Sequence, residues 1–190
     1  MSQKNTESVT VLLDELESWL KVTLPDEIGN ISKLIVEGRS QWPYPQGAGS
    51  TPKDFRKLGH LTHFTLSDCG GVSANALADL LNLLPKLECL CLEGVIGLKS
   101  GKKTPLSNEK IPKKLRISSA GGPLPLFEEL SVLGLRVDEV TLGPSPFIWS
   151  NVVEGTVHAF GPYLKYLRLD EVPDGMWRIL LWGPLAIIIS

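Results

Sequence analysis

The sequence predicts an α/β fold: a short solenoid whose curved parallel sheet carries helices and loops on its convex side, in about six irregular units. Three observations predict it. The 190 residues include 32 leucines. The hexapeptide apolar-x-x-apolar-x-apolar recurs with starts at residues 31, 61, 87, 112, 137 and 164, in steps of 30, 26, 25, 25 and 27. The segments between several of these hexapeptides place apolar residues at helical spacing. One strand, one turn and one helix cannot bury an apolar face alone, so the unit must stack on copies of itself.

In chain order, Val9, Leu12, Leu13, Leu16 and Leu20 form a helical stripe that Pro25 follows. This predicts a capping helix over 9–22, within an N-terminal segment 1–27, because a terminal unit otherwise exposes apolar surface. The strands follow at Ile31-x-x-Leu34-x-Val36, Leu61-x-x-Phe64-x-Leu66, Leu87-x-x-Leu90-x-Leu92, Pro112-x-x-Leu115-x-Ile117, Val137-x-x-Val140-x-Leu142 and Leu164-x-x-Leu167-x-Leu169. Alternation sends the fourth and sixth residues of each to the core. Helices are expected where Leu77, Leu80, Leu81 and Leu84 precede Pro85, where Phe127, Leu130 and Leu133 precede Gly134, and where Val153, Val157 and Phe160 precede Gly161-Pro162. Residues 41–57 and 97–114 read as loops. The first is rich in Pro and Gly, and the second is basic. Residues 173–190 form an apolar C-terminal cap or truncated repeat. A competing register aligns 124–135 with 84–95 and makes 127–132 a strand. The even register is preferred because it leaves a helix between each late pair of strands.

Composition bounds the function. Nineteen Lys and Arg stand against 21 Asp and Glu, a net charge of −2. A dedicated nucleic-acid binder carries a strongly basic face instead. Three cysteines are too few for a disulfide scaffold, and MSQKNTESVT lacks the apolar core of a signal peptide. A reducing compartment, cytoplasmic or nuclear, is therefore expected. The apolar stretch 176–189 contains Arg178 and Pro184 and is short for a bilayer, which needs roughly 20 residues; no membrane partner is expected.

The repeat length, the helical arms and Cys69 at the ninth position of LTHFTLSDC make residues 28–172 resemble the leucine-rich-repeat family, in its cysteine-containing, ribonuclease-inhibitor-like subtypes. LLNLLPKLECLCLEGV and PYLKYLRLDEV resemble, more narrowly, the irregular repeats of fungal F-box proteins. The resemblance implies a protein-binding module related to the substrate-recognition part of F-box-type ubiquitin ligase adaptors. The chain departs from the pattern at the other ninth positions, Val95, Ala120, Ser145 and Val172. No F-box is found, since the residues after Leu24-Pro25-Asp26-Glu27-Ile28 run straight into the first repeat.

In such a repeat the third, fifth and seventh residues of each strand unit point to the concave face. The third-position column is Lys33, His63, Cys89, Lys114, Glu139 and Tyr166. The fifth is Ile35, Thr65, Cys91, Arg116, Thr141 and Arg168, and the seventh is Glu37, Ser67, Glu93, Ser118, Gly143 and Asp170. Both charge signs and few apolar residues suit a polar protein partner better than a lipid, a cofactor or a small-molecule substrate. The residues expected to bind it are Lys33, His63, Lys114, Arg116, Glu139, Tyr166, Arg168 and Asp170. Tyr and Arg most often anchor interfaces.

Rival chemistry is thin. His63, Cys89 and Cys91 fall close together on this map and are three N/S donors that begin a zinc site, or a Cys–His pair that activates a thiolate. No fourth ligand is visible, and nothing orients the imidazole. Seven cations between Lys99 and Arg116 read as a solvated loop without the interleaved aromatics that stack bases. Phosphate-loop, nucleophile-elbow and H-E-x-x-H motifs are absent. The chain is expected to be no enzyme and to use no cofactor. The alternatives are a Cys/His-dependent enzyme or zinc site on the concave face, or a truncated fragment without function of its own.

Overall fold

The computed structural model describes residues 7–23, 25–38, 41–42, 53–95, 97–98, 106, 112–118, 127, 130, 133–143, 149–170 and 186–189. The strands are β1 (Glu7–Leu12), β2 (Ile31–Glu37), β3 (Gln41–Trp42), β4 (His63–Ser67), β5 (Gly71–Ser73), β6 (Cys89–Glu93), β7 (Gly97–Leu98), β8 (Lys114–Ser118), β9 (Glu139–Leu142), β10 (Tyr166–Leu169) and β11 (Ala186–Ile189). The helices are α1 (Leu16–Val22), α2 (Pro25–Ile28), α3 (Ala74–Leu83) and α4 (Trp149–Phe160). The chain is α/β. Its main sheet has eight strands in the order β1-β2-β4-β6-β8-β9-β10-β11, and each neighbouring pair is parallel. The spatial order repeats the chain order, so every main strand returns beside its predecessor. Parallel neighbours need a crossover between them, and α1, α3 and α4 lie in three of these crossovers. The second sheet, β3-β5-β7, pairs short strands that follow β2, β4 and β6.

One face of the main sheet is the core. Leu34, Val36, Phe64, Leu66, Leu90, Leu92, Leu115, Ile117, Val140, Leu142, Leu167 and Leu169 are buried. These are the fourth and sixth residues of six successive hexapeptides, as alternation requires. Leu77 and Leu80 of α3, and Val153 and Phe160 of α4, belong to the same buried cluster. Each such side chain contributes roughly 1.5–3 kcal/mol on leaving water. The ring of Phe55 meets Phe64 edge-on, with centroids 6.1 Å apart.

Turns extend the ladder past the strand ends. The amides of Gly38, Asp68 and Gly94 donate to the carbonyls of Ser67, Glu93 and Ser118 on the next strand. Gly94 has φ +61°, and a Cβ there would collide with the Asp68 carboxylate. Asp68 stands at the corresponding place after β4 with φ 53°. Asp tolerates this left-handed turn better than most side chains do.

Four expectations need correction. The helix expected over 9–22 is strand through Leu12, then a 3-10 turn at Leu13–Glu15, then α1. The run Val9-Thr10-Val11 is β-branched at every position. As β1 it pairs with β2 and satisfies that strand's otherwise open edge; Val11 is buried and Leu12 is 52% exposed. Residues 41–57 are not wholly loop: β3 pairs with β5, and a 3-10 helix at Lys53–Leu58 buries Phe55 and Leu58. Residues 97–114 are not wholly loop either: Gly97–Leu98 is β7, paired with β5, and Lys114 begins β8. Within the apolar C-terminal segment, Ala186–Ile189 is β11, paired along β10 from Tyr166↔Ala186 to Leu169↔Ile189. In the preferred register, β8 and β9 occupy the fourth and fifth units, and Phe127, Leu130 and Leu133 are helical. Residues 43–52, 99–105, 107–111 and 171–185, with most of the expected basic loop, lie outside the described residues. Among the described residues, no helix is long and apolar enough to cross a membrane.

Candidate functional site: the open face of the main sheet

The face opposite the core carries the columns that alternation generates. Strand register places Lys33, His63, Cys89, Lys114, Glu139 and Tyr166 in one row across β2, β4, β6, β8, β9 and β10. The next row is Ile35, Thr65, Cys91, Arg116, Thr141 and Arg168. Neighbouring strands lie roughly 4.8 Å apart, so each row is continuous. Most members are half-buried or exposed; Thr65 is the exception and is buried.

Tight contacts cluster toward the β8–β10 end. Lys114 Nζ is 2.8 Å from Glu139 Oε2 on the adjacent strand. Glu139 hydrogen-bonds to Lys114 and holds its ammonium above the ordinary lysine value. Arg116 Nη2 reaches Asp170 Oδ2 at 3.5 Å, and Arg168 Nε donates to Asp170 Oδ1 at 3.1 Å. One carboxylate thus gathers two guanidinium groups. Tyr166 stands beside Glu139 in register with 48% of its surface exposed. Six of the eight expected binding residues, Lys114, Arg116, Glu139, Tyr166, Arg168 and Asp170, are brought together here. Lys33 and His63 are exposed on β2 and β4, beside each other but away from this group.

His63 Nδ1 lies 2.9 Å from Thr62 Oγ1. The same hydroxyl donates to the Ser32 carbonyl at 3.1 Å.

Cys89 and Cys91 share this face, with their Sγ atoms 3.8 Å apart. Cys91 is lowered to about 7, first because the Cys89 thiol donates to it; the Thr65 hydroxyl and the Arg116 charge add to this, against burial and Glu93. The same hydrogen bond, with burial, pushes Cys89 upward. The pair therefore shares one proton. Buried Cys69 is pushed up to about 11 by desolvation and Asp68. Among the described residues, no group of three or more His, Cys, Asp and Glu is arranged to hold a metal ion. His63 does not complete a site with the two thiols.

A second cluster escaped the sequence reasoning. Where the chain enters β8, β9 and β10, Lys113, Arg136, Asp138, Pro162, Tyr163 and Lys165 line an open pocket of about 480 Å³. Lys165 Nζ pairs with Asp138 Oδ1 at 3.0 Å, and Arg136 lies over the Tyr163 ring, 4.8 Å from its centroid. The signal was present in the second position of each unit, where Lys113, Asp138 and Lys165 alternate in sign.

Comparison with protein-family models, with curated proteins and with solved structures finds no match to the chain.

Proposed function

We propose that the chain is a protein-binding leucine-rich-repeat module, a short solenoid that holds a polar protein partner against the open, concave side of its sheet. One observation carries the reading: the third- and fifth-position columns run in unbroken register across six strands and converge on Arg116, Arg168, Asp170, Glu139 and Tyr166. An array of both charge signs around an exposed tyrosine suits an interface, where Tyr and Arg supply most of the binding energy and charge pattern supplies selectivity. In this reading no bond is made or broken, and no cofactor or small-molecule substrate is used. The partner is another protein, met in the cytoplasm or nucleus. Substrate recognition for an F-box-type ubiquitin ligase is the narrower form of the proposal, and it rests on the repeat resemblance alone.

The test is capture of interacting proteins by the tagged chain from its native cells, with Tyr166→Ala as the comparison. The expected result is a reproducible partner whose affinity falls at least tenfold in the variant, the loss typical of a truncated anchor. Co-recovery of a cullin and its linker protein supports the adaptor form. Capture indifferent to Tyr166→Ala removes this face from the interface.

A further inference from the structure

Three successive units bring charged residues together where the chain enters β8, β9 and β10. Lys113, Asp138 and Lys165 each stand one residue before a strand, ahead of Lys114, Glu139 and Tyr166. The Lys113 carbonyl accepts from the Asp138 and Glu139 amides, and the Asp138 carbonyl accepts from the Lys165 and Tyr166 amides. These backbone bonds hold the three residues side by side. Arg136 and Tyr163 complete the wall, with the guanidinium over the ring and 4.8 Å from its centroid. The pocket has a volume of about 480 Å³, within the usual range of ligand-binding clefts.

The charge of this pocket is opposite to that of the chain. Lys113, Arg136 and Lys165 line it against Asp138, three cations to one carboxylate and a net of +2, in a chain of net charge −2. Asp138 is engaged by Lys165 at 3.0 Å. Among the described residues, no carboxylate lies within ion-pair distance of Lys113. A cleft lined by one sign of charge attracts the opposite sign whatever the net charge of the molecule. Nucleic acid is disfavoured as the occupant, because it draws its affinity from cations spread over many phosphates. The pocket also abuts the row that ends in Glu139 and Tyr166. Each of Lys113, Asp138 and Lys165 is one peptide unit, about 3.8 Å between Cα atoms, from its neighbour in that row. A segment lying along the row therefore reaches the pocket with a side chain.

We propose that this pocket receives Asp or Glu side chains from an acidic segment of the protein partner and so selects that partner by charge. The inference rests on the reading of the chain as a protein-binding module and names the chemistry of what it binds. Lys113 and Arg136 meet the incoming carboxylate, and a guanidinium matches its two oxygens with a fork of donors. Tyr163 positions that guanidinium. Lys165, held by Asp138, adds to the positive field.

The test is fluorescence-anisotropy titration of a labelled hexaglutamate peptide with the full chain, with hexaglutamine and a single-stranded RNA oligonucleotide as comparisons. The expected result is saturable binding of hexaglutamate alone, weakened by salt and about tenfold weaker in Lys113→Glu and in Arg136→Glu. Asp138→Asn removes the one carboxylate lining the pocket and should tighten binding about threefold, a gain that misfolding does not produce. Lys33→Glu, on β2 and away from the pocket, should leave the affinity unchanged. Absence of saturable binding overturns the proposal, as does a loss in Lys33→Glu equal to that in the two pocket reversals. Unchanged affinity in Asp138→Asn, or tighter binding of the RNA through Lys113 and Arg136, is equally fatal. The two proposals fail separately. Partner capture that needs Tyr166 but ignores Lys113→Glu removes the pocket alone, whereas peptide binding at the pocket with capture indifferent to Tyr166→Ala removes the open face alone.

Discussion

Arg116 on β8 reaches past β9 to Asp170, just beyond the end of β10, with Nη2 3.5 Å from Oδ2. The contact ties together three consecutive units of the sheet on the face away from the core. Arg168 shares the same carboxylate at 3.1 Å, so Asp170 holds two cations that would otherwise repel each other.

Removing that carboxylate tests how much the cluster matters to the fold. The two arginines are nearly half exposed and Asp170 is 21% exposed. Pairs so open to water contribute roughly 0–1 kcal/mol. Asp170→Ala should therefore lower thermal stability by less than about 1 kcal/mol, while an Arg116/Asp170 double-mutant cycle shows a small favourable coupling that fades with added salt.

The core side of the same strands behaves differently. Leu90 and Leu92 on β6 are fully buried. Leu90→Ala should cost about 2–5 kcal/mol by urea denaturation. Lys33→Ala, on the open face, should stay within about 0.5 kcal/mol of wild type. Similar costs at the two positions would contradict the assignment of faces.

Gly94 is required by its backbone. With φ +61° and the Asp68 carboxylate against the space of a Cβ, Gly94→Ala is expected to destabilise by about 1–3 kcal/mol. Gly134 also has positive φ, but nothing lies within 4 Å of its Cβ position. Gly134→Ala should cost less, and the difference between the two variants measures the clash apart from the strain.

The thiols should separate by pH. Cys91 is depressed to about 7 and Cys69 is raised to about 11. The thiolate is the reactive form, so Cys91 alkylation should rise as pH climbs through about 7, while Cys69 stays unreactive in the folded chain. Cys89→Ala removes the donor that holds the Cys91 thiolate, and the Cys91 profile should then move to higher pH. An unchanged profile would show that the donor is not Cys89.

The interior of the sheet was legible in the sequence because strand alternation is rigid. Once Leu34 and Val36 face the core, Lys33 and Ile35 cannot, and the same logic fixes every row from Lys33 to Tyr166. The edges were less legible. Val9, Leu12, Leu13, Leu16 and Leu20 match helical spacing, yet Glu7–Leu12 is strand, because an open edge on β2 offered backbone partners to a β-branched run. Phe55 sat in a segment dominated by Pro and Gly, and its burial against Phe64 is a tertiary contact no local pattern announces. At the site, register predicted which residues share a face, but not which would touch. The span from Arg116 to Asp170 depends on side-chain length across two strands, and the 3.8 Å approach of Cys89 and Cys91 depends on their rotamers.

The most direct test of the binding surface is charge reversal at its centre, Arg116→Glu with Arg168→Glu, measured as affinity for the captured partner, with circular dichroism to confirm the fold. The account predicts that binding falls at least a hundredfold while the spectrum and melting temperature stay near wild type. Undiminished affinity in a folded double variant would contradict it and move the interface away from this face.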